Sequence, residues 1–292
     1  MECSVIIVNY NTKELTMNCL QSIRNWSSDI SYEVILVDNA SNDGSQELFS
    51  NEFPEINLIL SPVNLGFGRA NNLGASKARG KYLFFLNSDT FFINNAIKIF
   101  IDFFDSHQTN KLGCLGAELL DEKLMVNGTG GKFPRLKTYL ASRIHAISAK
   151  FADQPVENSF PTDVEYVLGA DMFMSRDLFL DIGGFDESYF MYYEEADLQL
   201  RISRMGYTNI IIKGPRIVHL EGKSSSVNVS VSKIIMVQKS AFTYFRKNRP
   251  YWEYLSLRVI SFIDAILMLF KPGYPMDDFK TYFRFNLKKS NT

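Results

Sequence analysis

An α/β architecture with a mostly parallel sheet is the fold this sequence predicts, and three observations predict it. Short apolar runs rich in β-branched residues alternate with segments of helical period over the first hundred residues. Those runs are apolar at three to five successive positions, not at every second one, which is the pattern of strands covered on both faces. Hydrophobic residues make up 46% of the 292-residue chain and charged residues 22%. That is enough apolar surface to bury a core, and it excludes a disordered chain.

The elements follow in order. Ser4–Tyr10 is a buried strand, and Lys13–Trp26 repeats apolar residues at Leu15, Cys19, Leu20 and Ile23, a helical spacing. Tyr32–Asp38 is the second strand, Gly44–Phe53 a short helix, and Ile56–Leu60 the third strand. Gly66–Ala78 reads as a helix begun by glycine, Tyr82–Asn87 as the fourth strand, and Asn94–Asp105 as a helix. Strand alternating with helix gives βαβ units. Beyond them, Leu112–Leu120 and Lys123–Phe133 read as a strand and a hairpin around a glycine-rich turn, and Arg135–Asn158 as a mobile loop or short helices. Val164–Met174 is a strand broken by glycine, and Ser175–Ile182 a helix capped by Ser175. Glu194–Met205 is a helix, followed by strands at Thr208–Lys213 and Arg216–Leu220.

The last sixty residues are helical in pattern, with candidates at Ser232–Arg246 and Trp252–Phe270. Arg258 and Asp264 interrupt the second, and a spanning helix needs roughly 20 mostly uncharged residues. It is therefore not read as transmembrane. Arg258, Ser261 and Asp264 fall three apart and form a polar stripe on an apolar rod. The stripe fits a helix lying in a membrane surface, or a helix packed on its own domain or on a second subunit. A boundary near residue 222 divides the chain into residues 1–222 and residues 223–292.

Charge supports that division. From residue 215 onward thirteen bases face five acids, although the whole chain has a net charge of -1. A nucleic-acid binder relying on overall basic charge is excluded. The tail points to an anionic partner, with a membrane surface first. Cys3, Cys19 and Cys114 show no metal-ligand spacing and read as reduced structural thiols of a cytosolic protein. The opening residues run straight into an apolar strand, so no signal peptide is expected.

Polar groups gather at strand ends, where open α/β sheets bind ligands. Asn9-Tyr10-Asn11 ends the first strand, Asp38 the second and Asn87-Ser88-Asp89 the fourth. Any one of these would be an ordinary turn or cap, but three on one rim point to a site. Asn64–Gly74 opens a helix whose early glycines allow either close approach to an anion or tight helix–sheet packing, with Arg69 available for a charge-assisted contact. It is neither a Walker A loop nor a dinucleotide fingerprint.

With these motifs the chain resembles the inverting nucleotide-sugar glycosyltransferases of GT-A family 2, in particular the rhamnosyltransferase-like and galactofuranosyltransferase-like members. The resemblance is carried by SVIIVNYN at 4–11, VDNASNDGS at 37–45, NLGFGRANNLG at 64–74 and FLNSDT at 85–90. VLGADMFMSRDLFLDIGGFDE at 167–187, FMYYEEADLQLR at 190–201 and a strand ending in His219 continue it in order. It implies a GT-A (nucleotide-diphospho-sugar transferase) fold with a C-terminal helical appendage. It implies a nucleoside-diphosphate sugar as donor, a sugar or lipid-linked sugar as acceptor, and a role in cell-surface polysaccharide synthesis. Together with this resemblance, the basic aromatic tail suits work at the inner membrane face on a lipid-linked acceptor, with homo-oligomers through the C-terminal helices as the other use of the tail.

The resemblance assigns roles residue by residue. Asp38 is implied to hydrogen-bond the nucleotide base, and Tyr10, Gly66 and Arg69 to line the nucleotide and phosphate pocket. Asn87, Ser88 and Asp89 stand at the family's Asp-x-Asp position. Asp89 is implied to hold Mg²⁺ or Mn²⁺ against the two phosphates, with His219 completing the metal site. Gly169, Ala170 and Asp171 are implied to lie under the donor sugar or acceptor. Glu195 takes the place of the general base. Two positions depart from the pattern: Asn87 replaces the first acid of the metal motif, and Glu195 replaces an Asp. Glu194 and Asp197 therefore remain candidates for the base, although Asp197 is spaced for a salt bridge with Arg201 at i,i+4.

The chemistry suits such residues. A divalent ion offsets charge on a departing diphosphate, and Mg²⁺ needs only one or two carboxylates besides phosphates and water. A carboxylate that takes the proton of an attacking hydroxyl assists the displacement. A nucleotidyltransferase would want a glycine-rich loop with a basic residue after the first strand, which Tyr10–Lys13 does not supply. A glycoside hydrolase needs two carboxylates flanking a cleft and leaves the rim unexplained. The remaining alternative is a degenerate GT-A protein serving as a nucleotide-sugar-binding or scaffold subunit. That reading predicts loss of Asp38, Asp89 or the acids at 194–195, and all are present.

Overall fold

The computed structural model describes residues 1–107, 111–128, 130–147, 160–220, 230–271 and 273–287. Two compact units divide the chain. One comprises Met1–Phe133, Phe151–Glu187 and Glu194–Glu221; the other comprises Pro134–Lys150, Ser188–Tyr193 and Gly222–Thr292. The helical unit thus draws in two internal segments besides the tail.

The first unit runs β1 (Cys3–Asn9), α1 (Lys13–Trp26), β2 (Tyr32–Asp38), α2 (Ser45–Glu52), β3 (Asn57–Leu60), α3 (Phe67–Ala75) and β4 (Tyr82–Asn87). These match the expected elements to within three residues at each end. Next come β5 (Thr90–Phe92), which the sequence pattern did not reveal, α4 (Ala96–Ser106) and β6 (Leu112–Leu120). The hairpin expected at 123–133 shrinks to a bridge between Leu120 and Val126, and β7 (Gly130–Gly131) pairs elsewhere. Helix α5 (Leu136–Ile147) belongs to the second unit and occupies the first half of the segment read as loop or short helices; residues 148–159 lie outside the described residues.

The glycine break expected in Val164–Met174 is real. It separates β8 (Thr162–Val164) and β9 (Tyr166–Val167) from β10 (Asp171–Ser175). Helix α6 (Arg176–Asp181) begins on Ser175, whose hydroxyl accepts from the Leu178 N–H, as its position implied. After α7 (Glu194–Arg204), the two last strands are one, β11 (Thr208–His219), with an irregular register against β6 between Ile212 and Ile217. The interruption read at Gly214 is a bulge inside one strand.

The large sheet has the order β3-β2-β1-β4-β10-β6-β11-β5, with β8 also on β11. β1 pairs in parallel with β2 and β4, and β2 with β3, so the three motif-bearing strand ends are neighbours. β10 enters antiparallel between β4 and β6. Apolar residues alternate between two cores. Val5, Ile7, Leu36, Phe84 and Leu86 face one cluster with Cys19, Leu20, Phe49 and Phe100. Ile6, Ile35, Leu83 and Phe85 face the other with Ala75, Phe179, Leu198 and Ile202. Burial on both faces is what the unbroken apolar runs require. α3 can lie close because Gly74 has no side chain: a Cβ there would stand 2.6 Å from Ile6 Cγ2.

The second unit contains α5, α8 (Val231–Asn248), α9 (Tyr251–Leu267) with a short 3₁₀ turn to Phe270, and α10 (Met276–Leu287). Within it α10 packs on α9 through Phe262 against Phe283 at 5.4 Å. Glu253 near the start of α9 accepts from Leu136 N at 2.9 Å, capping α5 with a carboxylate where the helix dipole favours one. Among the described residues no helix is long and apolar enough to cross a membrane.

Candidate active site

The site is assembled at the carboxyl ends of β1, β2 and β4. Asn9 Nδ2 donates to Asp38 Oδ2 at 2.7 Å and to Ser41 Oγ at 2.9 Å. Asp38 Oδ1 accepts from Ser41 N at 3.0 Å and Gln46 Nε2 at 2.9 Å. Asn9 Oδ1 takes the hydroxyls of Thr12 and Thr16, and Thr12 reaches Ser88 Oγ at 3.0 Å. These bonds clamp three strand ends together. They also hold Ala40 in the left-handed region, at φ 68°, which a non-glycine residue adopts only when its surroundings fix it.

Asp38 is fully buried. Its carboxylate ties the turn, with one bond at Oδ2 and two at Oδ1. Beside it lies a pocket lined by Ala40, Ser41, Gln46, Leu60, Ser61 and Pro62. Tyr10 is exposed on the rim. Gly66, at φ 80°, makes the turn into α3, and its N–H is taken by Asn64 Oδ1 at 2.9 Å. In Asn64–Gly74, then, glycine serves the turn and the close helix packing. Arg69 is exposed and donates to the Glu187 carbonyl at 2.9 Å.

Asn87, Ser88 and Asp89 turn from β4 into β5. β5 pairs antiparallel with β11, opposing Thr90 to His219. This register brings His219 Nε2 to 3.3 Å from Asp89 Oδ1, and Leu220 N bonds the Asp89 carbonyl at 2.9 Å. The short strand missed in the sequence is thus what joins two residues 130 positions apart. One carboxylate and one imidazole are a donor set that a divalent cation also held by phosphates can use. Among the described residues no group of three or more His, Cys, Asp or Glu stands ready for a metal.

The other side of the site is α7. Asn87 N bonds the Ala170 carbonyl at 3.0 Å, and the neighbouring Gly169 lies against Glu195, where a Cβ would be 3.6 Å from Glu195 Cγ. Glu195 is half-buried there. Glu194 is buried and packs beside Gly68. Asp197 forms the expected ion pair with Arg201 at 2.9 Å, and Arg201 also donates to the Ile182 and Gly184 carbonyls. Of the three acids, Glu195 alone keeps partial exposure. Immediately before α7, Tyr192 and Tyr193 have φ of 72° and 71°. Two adjacent left-handed tyrosines concentrate backbone strain at the entry to the acids.

Ala170 and Asp171 are buried in the sheet, and Asp171 opposes Leu86 in β4. Its Oδ2 accepts from Ala117 N at 2.6 Å, while Oδ1 has no hydrogen-bond partner among the described residues. Burial pushes this carboxyl well above the usual carboxylate range, and the Ala117 bond only partly opposes it. All three cysteines are free and buried, and burial pushes the Cys19 thiol up to about 12, too high for a thiolate at neutral pH.

Residues 4–138 match the family described as Glycosyl transferase family 2. Those residues form a family 2 glycosyltransferase domain. It is 24% identical over 245 residues to an N-acetylglucosaminyl-diphospho-decaprenol L-rhamnosyltransferase of Mycobacterium tuberculosis, covering 77% of this chain and 78% of that one. It is 25% identical over 211 residues to Rhamnosyltransferase WbbL of Escherichia coli K12, covering 69% of this chain and 77% of that one. The fold is shared with S. aureus TarS, at a TM-score of 0.58 and 17% identity, over 95% of this chain and 46% of that chain.

In this glycosyltransferase the sequence motifs located the rim, and the structure adds the residues that hold it. Asn9, Thr12, Ser41 and Gln46 are positioning residues for Asp38 and Ser88. Their signal was present in the polar ends of the first two motifs, but polar turn residues carry no mark of their partners.

Proposed function

We propose that this glycosyltransferase moves a sugar, with inversion, from a nucleoside-diphosphate sugar to a hydroxyl of a lipid-linked acceptor at the cytoplasmic face of a membrane. The observation that carries the reading is the Asp89–His219 pair, 3.3 Å apart, on the rim that also presents Glu195. The M. tuberculosis relative, named for a decaprenol-linked acceptor, supports the acceptor class. A role in cell-surface glycan synthesis is part of the same reading.

Asp89 and His219 are the residues that would hold Mg²⁺ or Mn²⁺. When bound there, the ion offsets negative charge on the departing diphosphate. Glu195 accepts the proton of the acceptor hydroxyl as its oxygen bonds the anomeric carbon. The bond from that carbon to phosphate breaks in the same displacement, and the nucleoside diphosphate leaves with the electron pair. Gly169 leaves the stem of Glu195 uncrowded. Asn9, Ser41 and Gln46 keep the Asp38 turn fixed, so that the adjoining pocket is preformed for a base.

Melting curves with candidate donors test the reading. A donor that binds only the folded chain stabilises it by mass action, by about 2.7 kcal/mol at a hundredfold excess over Kd, and so raises the melting temperature. The rise is expected with Mn²⁺ or Mg²⁺ present and is expected to shrink in Asp89→Ala. A cation-independent rise, unchanged in Asp89→Ala, overturns the metal assignment.

A further inference from the structure

Helix α9 buries polar side chains beside Tyr254, Leu257 and Ala265 and leaves a second apolar stripe exposed. Its polar stripe points into the helical unit. Arg258 Nη2 donates to the Asn286 carbonyl at 3.0 Å, and its guanidinium lies 4.6 Å from the centre of the Phe242 ring. Ser261 is fully buried and donates to Asn286 Oδ1 at 2.5 Å. On the opposite face, Trp252, Leu255, Val259, Ile263 and Ile266 are exposed. They are spaced three, four, four and three residues apart, which at about 100° per residue places them on one side of the helix. Phe270 extends the stripe beyond the helix end and is 78% exposed; Trp252 and Val259 are 60% and 59% exposed. A helix on the surface of a soluble domain turns a polar face outward.

The charge of the unit that carries the stripe selects what covers it. In residues 230–271 and 273–287, Lys233, Lys239, Arg246, Lys247, Lys271, Lys280 and Arg284 are exposed, whereas Asp277 is the one exposed acid. Asp277 is itself paired with Lys280 at 3.2 Å. Glu253 is buried and bonded to Arg249. A second copy of this unit would bring one basic surface against another. A bilayer surface rich in anionic headgroups matches both features, because apolar side chains enter the headgroup–acyl boundary while bases meet phosphates.

We propose that the outward face of α9, from Trp252 to Phe270, is a monotopic binding surface for an anionic lipid bilayer. The assignment extends the lipid-linked acceptor reading but stands apart from sugar transfer, because its test needs neither donor nor acceptor.

The test is flotation of the full chain with vesicles of phosphatidylglycerol or of phosphatidylcholine. The chain is expected to float with the first far more than with the second, and less so in roughly 1 M salt, where the Debye length is about 3 Å. In a Trp26→Phe background, Trp252 emission is expected to shift to the blue on adding phosphatidylglycerol vesicles. Val259→Glu with Ile263→Glu, at exposed positions where the melting temperature is expected to hold, lowers partitioning about tenfold or more. Failure of the parent chain to bind phosphatidylglycerol overturns the proposal. So does equal binding by the double variant, or a dimer of the parent chain that the double variant dissociates. A chain that floats but transfers no sugar refutes the functional reading and leaves this surface standing.

Discussion

Helices α7 and α9 both turn polar side chains inward, yet they leave opposite faces outside. In α7 the buried groups are Glu194, Asp197 and Gln199, and Gln199 bonds both the N–H and the carbonyl of Val167. The outer end of that helix carries Arg204, an exposed base. In α9 the buried groups are Glu253 and Ser261, and the outer face is Trp252, Leu255, Val259, Ile263 and Ile266. The inward polar contacts do the same work in both helices, because directed bonds fix rotation about the helix axis more tightly than apolar contact alone. The outward faces differ because α7 has found all its burial within its own unit, whereas α9 has apolar surface left over.

The contrast can be sharpened by substitution. The largest effect belongs to the outward-reaching acid of α7: Glu195→Gln is expected to cut kcat by about 10²–10⁴-fold while donor binding persists. A variant that turns over at the parent rate, measured by release of nucleoside diphosphate, moves the base elsewhere. Next comes the anchor of the same helix. Arg201→Met removes three bonds, among them the ion pair to the buried Asp197 carboxylate, which is expected to cost about 3–5 kcal/mol in urea denaturation. Arg258→Met tests the matching contact in α9; loss of the charge-assisted bond to Asn286 is expected to cost about 2 kcal/mol. Equal costs for the two would erase the difference between an arginine paired with a buried carboxylate and one bonded to a carbonyl.

The smallest effect concerns the rim strand. Asp171 has a raised folded-state pKa, so its protonated form is favoured by folding. Its cost to stability is therefore absent below the ordinary Asp value and grows as pH rises above that value, until the folded-state pKa is reached. Asp171→Asn keeps an acceptor for Ala117 and removes that cost. It is expected to raise the melting temperature by a few degrees at pH 8 and by less at pH 4. A pH-independent change would show that the carboxyl titrates as an ordinary one.

Much of the sheet unit was legible in the chain because each βα step is local. Tyr32–Asp38 and Tyr82–Asn87 are bounded as their apolar runs predict, and the rim positions follow from where those runs stop. β5 was not legible. Three residues, Thr90–Phe92, make no periodic signal, and they are extended because β11, 125 positions further on, pairs with them. The bonding of Asp38 was also hidden. The residue type announces a polar strand end, but only the positions of Asn9, Ser41 and Gln46 decide which bonds its oxygens make. In α9 the polar stripe of Arg258, Ser261 and Asp264 was visible from spacing, while its inward direction required Asn286 and Phe242.

By itself the sequence determined the α/β class, the order of the first four strands' elements, the amphipathic seams and the set of residues available for chemistry, because these follow from local periodicity and residue type. Tertiary structure decided which of them meet. It set the partnership of Asp89 with His219, the seat of Glu195 on Gly169, and the outward turn of the apolar side of α9. Each depends on pairing between distant segments, and side-chain spacing along a chain records which face a residue occupies without recording what that face will find.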